Sequence, residues 1–126
     1  MNINKQYISK KNTDSAPNKP KYIVIHETDN FRVGANGLTH AIAQYKGHLN
    51  TSVHFYCGDD GVYQVADYTS SCWSIGKTYS NTRPVMDATN YNVISIEICV
   101  NADGNYTIAR DNAIALTTSL LGALGT

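Results

Sequence analysis

The chain has 126 residues, the size of one domain, and its composition is ordinary for a globular protein, at 42% hydrophobic and 16% charged. Ten basic residues balance ten acidic ones. This balance argues against binding nucleic acid by phosphate neutralisation and against attraction to anionic lipid.

The predicted elements begin after an extended lead-in over residues 1–20, which contains Pro17 and Pro20. The β-branched run over residues 21–26 predicts a buried central strand. A loop over 27–34 leads to a helix predicted over 36–46. The apolar positions at helical spacing are Leu38, Ala41, Ile42 and Tyr45.

The second half of the chain predicts two short strands, a long irregular stretch, a strong strand and a helix. These are strands over 52–57 and 62–66 around a turn at 58–61, an irregular stretch over 68–92, a strand over 93–100, a turn at 101–104 and a helix over 107–124. Thr107 is the predicted N-cap of that helix. The order indicates an α/β fold with a mixed central β-sheet flanked by helices.

Glu97 is an anomaly within the predicted strand over 93–100. Alternation places three isoleucines on one face of that strand, and Glu97 on the other face with Ser95 and Cys99. Burying a carboxylate is costly unless it is paired, and burial raises its pKa towards the range that a general base needs. The alternatives are a partly solvated face or a carboxylate paired with Lys or Arg.

Histidines supply the other candidate chemistry. His26 ends an apolar strand and opens into a Gly-containing loop, so it suits a metal ligand, a base or a core residue. His54 alternates with core residues, and the sequence does not decide whether it faces the same side as His26. We expect His40 and His48 to be solvated. No HExxH or HxH spacing is present, so the residues alone predict a His/Glu site on the open face of a sheet.

Five stretches, in order, resemble the zinc-dependent N-acetylmuramoyl-L-alanine amidases, the family that includes the peptidoglycan recognition proteins. The stretches are Tyr22–Thr28, the helix Ala35–Tyr45, Ser52–Gln64, Cys72–Gly76 and Asn92–Cys99. Within the family, the catalytic domains of phage endolysins and autolysins of Gram-positive hosts look most alike. The resemblance spans residues 21–124.

The resemblance implies a peptidoglycan hydrolase that cleaves the amide between N-acetylmuramic acid and L-alanine with a zinc-activated water. His26 would be the first zinc ligand and Glu97 the catalytic base. Trp73 and Thr28 would bind substrate. Ser74 stands where the family has a histidine, so stabilisation of the oxyanion from that position would be weaker or absent.

The resemblance also implies an incomplete zinc site. The family's second and third ligands lie downstream of these motifs, and none of Cys57, Cys72 and Cys99 matches either one. We therefore expect residues 21–126 to be the N-terminal portion of a catalytic domain, truncated at its C-terminus, which binds zinc weakly and is inactive as given. We also expect self-association through surface that the truncation exposes.

Two other functions remain open: a non-catalytic peptidoglycan-binding module, and an α/β domain without a site. A pure binding module has no need of Glu97, so that residue favours the enzyme. The expected partner is bacterial peptidoglycan, with neither nucleic acid nor membrane insertion. No signal peptide or spanning segment is visible, and the odd cysteine count lacks disulfide or metal spacing. The protein would be made in the cytoplasm with reduced thiols and would reach the cell wall on release at lysis.

Overall fold

The computed structural model describes residues 1–78 and 85–123. It contains seven strands and two helices within those residues. In chain order they are β1 (Ile3–Asn4), β2 (Thr13–Pro17), β3 (Tyr22–Glu27), α1 (Gly37–Tyr45), β4 (Phe55–Gly58), β5 (Gly61–Gln64), β6 (Ser70–Cys72), β7 (Val93–Ile98) and α2 (Tyr106–Ala123).

Five strands form a mixed sheet in the order β1-β5-β4-β7-β3. Strands β4, β7 and β3 run parallel, so their carboxyl ends meet at one edge of the sheet. The β4–β5 hairpin is antiparallel, and β2 pairs with β6 in a separate two-stranded sheet. The predicted α/β fold with a mixed central sheet and flanking helices is confirmed.

Each face of the main sheet carries one helix. The α2 face buries the three isoleucines of β7 with the small and apolar residues of α2: Ile94, Ile96, Ile98, Ala109, Ala113, Leu116 and Leu120. The α1 face buries Ala41 against Val53, Tyr56, Tyr63 and Val65. The isoleucine face predicted for the strand over 93–100 is therefore the face that α2 covers. Residue 124, assigned to this helix from the sequence, lies outside the described residues.

The prediction that residues 21–26 form a central, buried strand is wrong in position. Among the strands of the described residues, β3 lies at an end of the sheet, and Ile25, His26 and Glu27 are exposed. Ile23 packs against the α2-side core, which accounts for the apolar pattern. The apolar sequence pattern of a parallel strand covered by a helix on one face is much like that of a strand covered on both faces.

The predicted apolar face of α1 is also partly wrong. Leu38 and Tyr45 are exposed, whereas Gln44 is fully buried. The Gln44 amide exchanges hydrogen bonds with the backbone of Val53 and accepts a third from the Tyr56 hydroxyl at 3.0 Å. An amide hydrogen-bonded at both its oxygen and its nitrogen is a stable core group, and apolar periodicity does not reveal it.

Helix α2 begins one residue earlier than predicted, with a different cap. Asn105 Oδ1 accepts from Ile108 N at 3.2 Å, the N-cap arrangement that the sequence analysis assigned to Thr107. The Asn105 N–H is in turn held by Asp59 Oδ2 at 2.8 Å. Neither helix in the described ranges has the length and apolar character needed to cross a membrane.

The N-terminal residues contribute two strands that the sequence analysis missed. Strand β1 extends the main sheet beside β5, and β2 pairs with β6. Both are short and polar, so they lack the alternation that predicts strands. The division into a lead-in over 1–20 and a domain over 21–126 remains a prediction.

Candidate active site

His26 and Glu97 are direct cross-strand neighbours on adjacent parallel strands. Glu97 on β7 pairs with His26 on β3 and with Tyr56 on β4. Partners in register point to the same face of a sheet, here the α1 face. We call Tyr56, Glu97 and His26 the open row, because His26 is exposed and Glu97 is half-buried.

The Glu97 carboxylate has no hydrogen-bond or ion-pair partner within the described residues. Desolvation by the surrounding sheet raises the pKa of Glu97 to about 7, and the negative charge of Asp29 adds to this rise. The neighbouring Tyr56 hydroxyl donates to Gln44, and burial raises the pKa of this tyrosine, so it stays protonated. Near neutral pH, Glu97 can therefore accept a proton from, or return it to, a reacting group.

The loop after β3 brings Asp29 to this position. Asp29 adopts a left-handed backbone with φ of 54°. Thr28 continues the pairing with β7 by donating its N–H to Ile98 O, and its hydroxyl accepts a 3.4 Å bond from Asn30 N. The described contacts give Thr28 a part in shaping this loop, while its predicted role in substrate binding remains a prediction.

A second cross-strand row lies next to the open row on the same face. We call His54, Ser95 and Val24 the closed row; Val24 pairs with Ser95, and Ser95 lies beside His54. His54 therefore shares a face with His26, which the sequence could not decide. It is fully buried: its Nε2 donates to Ser70 O at 2.8 Å, and its Nδ1 accepts from Ser95 N at 3.1 Å.

These contacts make His54 a structural residue. Burial lowers the pKa of His54 to about 4, so the ring is neutral at physiological pH. Both ring nitrogens are occupied, which leaves neither for a metal or a substrate. His40 is also less solvated than predicted, since it is half-buried against the ring of Tyr56, with 5.2 Å between ring centroids.

Two clefts meet at the loop that follows β6. One cleft, of about 500 Å³, contains His26 with apolar neighbours from β3 and Ile75, Val85 and Ala88. The other, of about 680 Å³, is lined by Trp73, Lys77 and residues of β2. Ser74 lines both, and its buried hydroxyl has no hydrogen-bond partner in the described parts of the chain. Trp73 and His26 thus face adjoining clefts rather than one.

Asn90 fixes the loop that separates these clefts, and the sequence analysis did not identify it. Its side-chain oxygen accepts hydrogen bonds from three successive backbone N–H groups, those of Ser74, Ile75 and Gly76, at 2.9–3.0 Å. Its own N–H donates to Gly76 O at 2.8 Å. Asn90 is only 3% exposed. An asparagine in a stretch without periodicity gives no signal of such a long-range role.

The residues present do not by themselves form a zinc site. No group of three His, Cys, Asp or Glu side chains in residues 1–78 and 85–123 is arranged to hold a metal ion. The three cysteines are reduced and buried, and burial raises the pKa of each thiol to about 12, which disfavours the thiolate that binds zinc. His26 remains the one exposed imidazole beside Glu97.

Comparison with known proteins gives one consistent match. The family model described as N-acetylmuramoyl-L-alanine amidase matches residues 16–125. XlyA of Bacillus subtilis strain 168, an amidase of that name, is 34% identical over 102 residues, which cover 81% of this chain. CwlH of the same strain is 32% identical over 124 residues, which cover 96%.

The fold matches as well. The structure of the catalytic domain of XlyA superposes with a TM-score of 0.82 at 31% identity, covering 98% of this chain and 77% of that chain. The chain spans 32% of the length of XlyA and 47% of that of CwlH. The similarity to XlyA therefore includes its catalytic domain.

Proposed function

The chain belongs to the N-acetylmuramoyl-L-alanine amidase family, and we propose that it carries the base-bearing part of a peptidoglycan-hydrolysing active site. The reaction would be hydrolysis of the amide between N-acetylmuramic acid and the L-alanine of the stem peptide. The protein would act on the bacterial cell wall. Both named relatives are N-acetylmuramoyl-L-alanine amidases, which supports this assignment.

One observation carries the proposal: Glu97 lies in register beside His26 on an accessible face, with no partner among residues 1–78 and 85–123. An unpaired carboxylate in an apolar strand costs folding free energy. Structural carboxylates of this chain are bonded; Asp60, for example, accepts from Gly37 N and Leu38 N. Glu97 has no such compensation among the described residues, which supports a role in chemistry.

The chemistry follows from the position of the carboxylate. In amide hydrolysis, water oxygen bonds to the carbonyl carbon and the carbon–nitrogen bond breaks. Glu97 would take the proton that the water loses and deliver it to the leaving nitrogen, so the carboxylate is regenerated. Because its pKa lies at about 7, the same carboxylate could both accept a proton and give it up near neutral pH.

Zinc would bind weakly to this 126-residue polypeptide. His26 offers one imidazole, and zinc sites that support catalysis use three protein ligands. No such trio exists in the described residues. We therefore propose that the polypeptide as given does not turn over substrate, and that a complete site needs ligands from residues beyond those described.

The substrate would lie across the two clefts. The apolar cleft beside His26 suits the stem peptide, and the cleft with Trp73 suits a sugar ring, because indole faces stack on such rings. Ser74, which lines both clefts, would lie at the junction between glycan and peptide. Thr28 would position the loop carrying Asp29.

A chimera tests the amidase assignment. Residues 1–123 would be joined to the part of the XlyA catalytic domain that this chain does not match, and incubated with purified cell walls and zinc. We expect the chimera to release stem peptides with free L-alanine amino groups, and the 126-residue polypeptide to release none. A folded chimera without release would contradict the assignment; release by the polypeptide alone would contradict its inactivity.

A non-catalytic peptidoglycan-binding module is the second candidate, and the lack of a three-ligand group in the described residues favours it. Trp73 is the only tryptophan, so its fluorescence reports on binding in the adjoining cleft. Titration with muramoyl peptides separates the enzyme from the binding module. If the chain is a binding module, the 126-residue polypeptide would bind the intact muramoyl peptide, and the XlyA chimera would still release nothing.

A further inference from the structure

We infer that strand β2 and the loop after β6 form a saccharide subsite, in which Asp14 positions the Lys77 ammonium in the cleft that Trp73 lines. The occupant is one N-acetylated sugar of the glycan strand, next to the sugar whose stem peptide would be cleaved. The choice of this glycan rests on the proposed function, whereas the saccharide class rests on the residues of the cleft.

Part of this cleft lies outside the region that defines the family. One wall comes from β2, through Thr13, Asp14 and Ser15, and the opposite wall contains Trp73 and Lys77. The family model begins at residue 16, so the family match says nothing about the three β2 residues. None of the described residues that line the cleft belongs to the open row. The cleft is therefore separate from the place where the amide would be cleaved.

Trp73 is a fixed part of the cleft wall. Its N–H donates to Ser52 Oγ at 2.8 Å, and its carbonyl oxygen accepts from Ser52 N at 3.1 Å. Ser52 is fully buried, and its hydroxyl donates to Asn12 O, immediately before β2. Cys72, which precedes the tryptophan, pairs with Thr13 of β2. Trp73 is 36% exposed, so an aromatic surface is accessible, and its fixed backbone lowers the cost of ordering it on binding.

Asp14 supplies the polar part of the cleft and holds a cation. Its side chain is only 13% exposed. Its Oδ1 accepts from Ala16 N at 3.0 Å, and its Oδ2 accepts from the Tyr91 hydroxyl at 3.2 Å and lies 3.5 Å from Lys77 Nζ. These contacts, with the bond from Ala16 as the largest cause, lower the pKa of Asp14, so it is charged near neutral pH. The Lys77 side chain is 65% exposed, so its ammonium has donors left for a ligand.

This combination of groups favours a sugar over an anion. The carbon–hydrogen face of a pyranose ring packs on an indole, and its hydroxyl and acetamido groups need polar partners at the edge. Lys77 supplies donors, and Ser15, exposed in the same cleft, carries a hydroxyl that can donate or accept. A phosphate or carboxylate at Lys77 would be repelled by Asp14, which lies 3.5 Å from the ammonium. The cleft volume of about 680 Å³ lies within the range of about 300–1,000 Å³ typical of small-ligand sites.

Titration of the polypeptide with tri-N-acetylchitotriose tests the subsite, with EDTA present so that no metal takes part. Trp73 is the only tryptophan, so its emission reports on this cleft. We expect the sugar to shift the emission to shorter wavelength and to protect the indole from acrylamide quenching, and inorganic phosphate to do neither. The absence of both effects at about 10 mM sugar, where a site with a dissociation constant of about 1 mM would be filled, would overturn the inference. Equal effects with phosphate would overturn it as well.

Lys77→Met removes the ammonium and retains the length of the side chain. We expect the dissociation constant for chitotriose to rise by about tenfold, the scale of a lost hydrogen bond from a charged donor. Lys46→Met is the matched control, because Lys46 is exposed at the end of α1 and is not among the described residues that line the cleft. This control should bind as the wild-type chain does. Equal affinities in the two variants would contradict the role of Lys77.

A double-mutant cycle separates the positioning role of Asp14 from a merely structural one. Asp14→Asn keeps an oxygen for Ala16 N but removes the charge that holds the ammonium. We expect it to weaken chitotriose binding by about threefold in the wild-type chain, the scale of a partly exposed ion pair, and not at all in Lys77→Met. Equal weakening in both backgrounds would show that Asp14 only shapes β2. Urea denaturation of each variant confirms that the compared chains are folded.

Binding of chitotriose is independent of hydrolysis, because this sugar carries no stem peptide and no metal is present. If the polypeptide binds chitotriose and the XlyA chimera releases no stem peptide, the saccharide subsite is retained and the proposed function is lost. Release of stem peptides by the chimera, with no binding of chitotriose to the polypeptide, would overturn the subsite and leave the proposed function standing.

Discussion

The closed row and the open row lie side by side on one face of one sheet, yet similar residues have opposite environments in the two rows. In the closed row, His54 is buried and both ring nitrogens are bonded. In the open row, His26 is exposed and Glu97 has no partner among the described residues. The contacts of His54 hold strands and loop together, whereas the side chains of His26 and Glu97 are available for chemistry.

The difference between the rows distinguishes residues that stabilise the fold from residues that are available for chemistry. Polar groups that satisfy one another in the interior fix a unique arrangement, whereas an unpaired group costs stability and is retained where it reacts. We expect substitutions of His54 to destabilise the fold, and substitutions of His26 and Glu97 to leave it intact or stabilise it.

The largest effect should come from the closed row. His54→Ala removes a buried ring and leaves Ser70 O and Ser95 N without their partner, so we expect a loss of about 3 to 4 kcal/mol in the free energy of unfolding. Urea denaturation measures it. His26→Ala, the matched control at an exposed position, should change stability by less than about 0.5 kcal/mol. Similar losses of unfolding free energy in the two variants would contradict the contrast between the buried and the exposed histidine.

Asn90 has a structural role like that of His54, in the loop that separates the two clefts. Asn90→Leu leaves three backbone N–H groups without their acceptor and should cost about 2 to 3 kcal/mol. The loop should loosen, so the emission of Trp73 should shift to longer wavelength. Asn90→Asp retains an acceptor oxygen and should keep the native spectrum. A native spectrum in Asn90→Leu would show that the side chain does not hold the loop.

Acid should destabilise the fold by protonating His54. Its pKa falls from 6.5 to about 4 on folding, so the unfolded chain binds more protons between these values. Stability contributed by the neutral ring is full above pH 6.5 and should fall by about 3 kcal/mol as pH approaches 4. Urea midpoints near pH 7 and pH 4 measure this loss. His54→Gln, which does not titrate, should show a shallower loss; an equal slope would exclude His54 as its source.

Glu97 should have the opposite and smaller dependence. Its pKa rises from 4.5 to about 7 on folding, so stability is full below pH 4.5 and is lost as pH rises through 7. In metal-free buffer near pH 8, Glu97→Gln should stabilise the fold by about 1 kcal/mol, a figure reduced for the partial exposure of the side chain. Near pH 4 the two proteins should unfold alike. Destabilisation near pH 8 would mean that the carboxylate has a structural partner.

The sequence predicted the strong elements of the fold and two residues of the open row, His26 and Glu97. Strand β7 and helix α2 have periodic apolar faces, and Glu97 lies on the opposite face of this apolar strand, so both the elements and the anomaly were visible. The adjacency of Glu97 and His26 was not, because strand order and register depend on long-range pairing.

Other features had no local signal. Gln44 and Asn90 act through bonds to backbone groups nine or more residues away, and polar residues in such roles look like surface residues in the sequence. The edge position of β3 was missed because one covered face is enough to produce an apolar run. The separation of Trp73 from His26 into adjoining clefts depends on how Asn90 folds the intervening loop.

The most direct test of the account is the rate at which the XlyA chimera releases stem peptides with Glu97 replaced by glutamine. The account predicts that Glu97→Gln lowers release by at least about 100-fold, the scale of a lost general base, while the folded protein remains as stable as the parent or more so. Release at the parent rate by a folded Glu97→Gln chimera would contradict it, because the unpaired carboxylate would then have no part in the reaction.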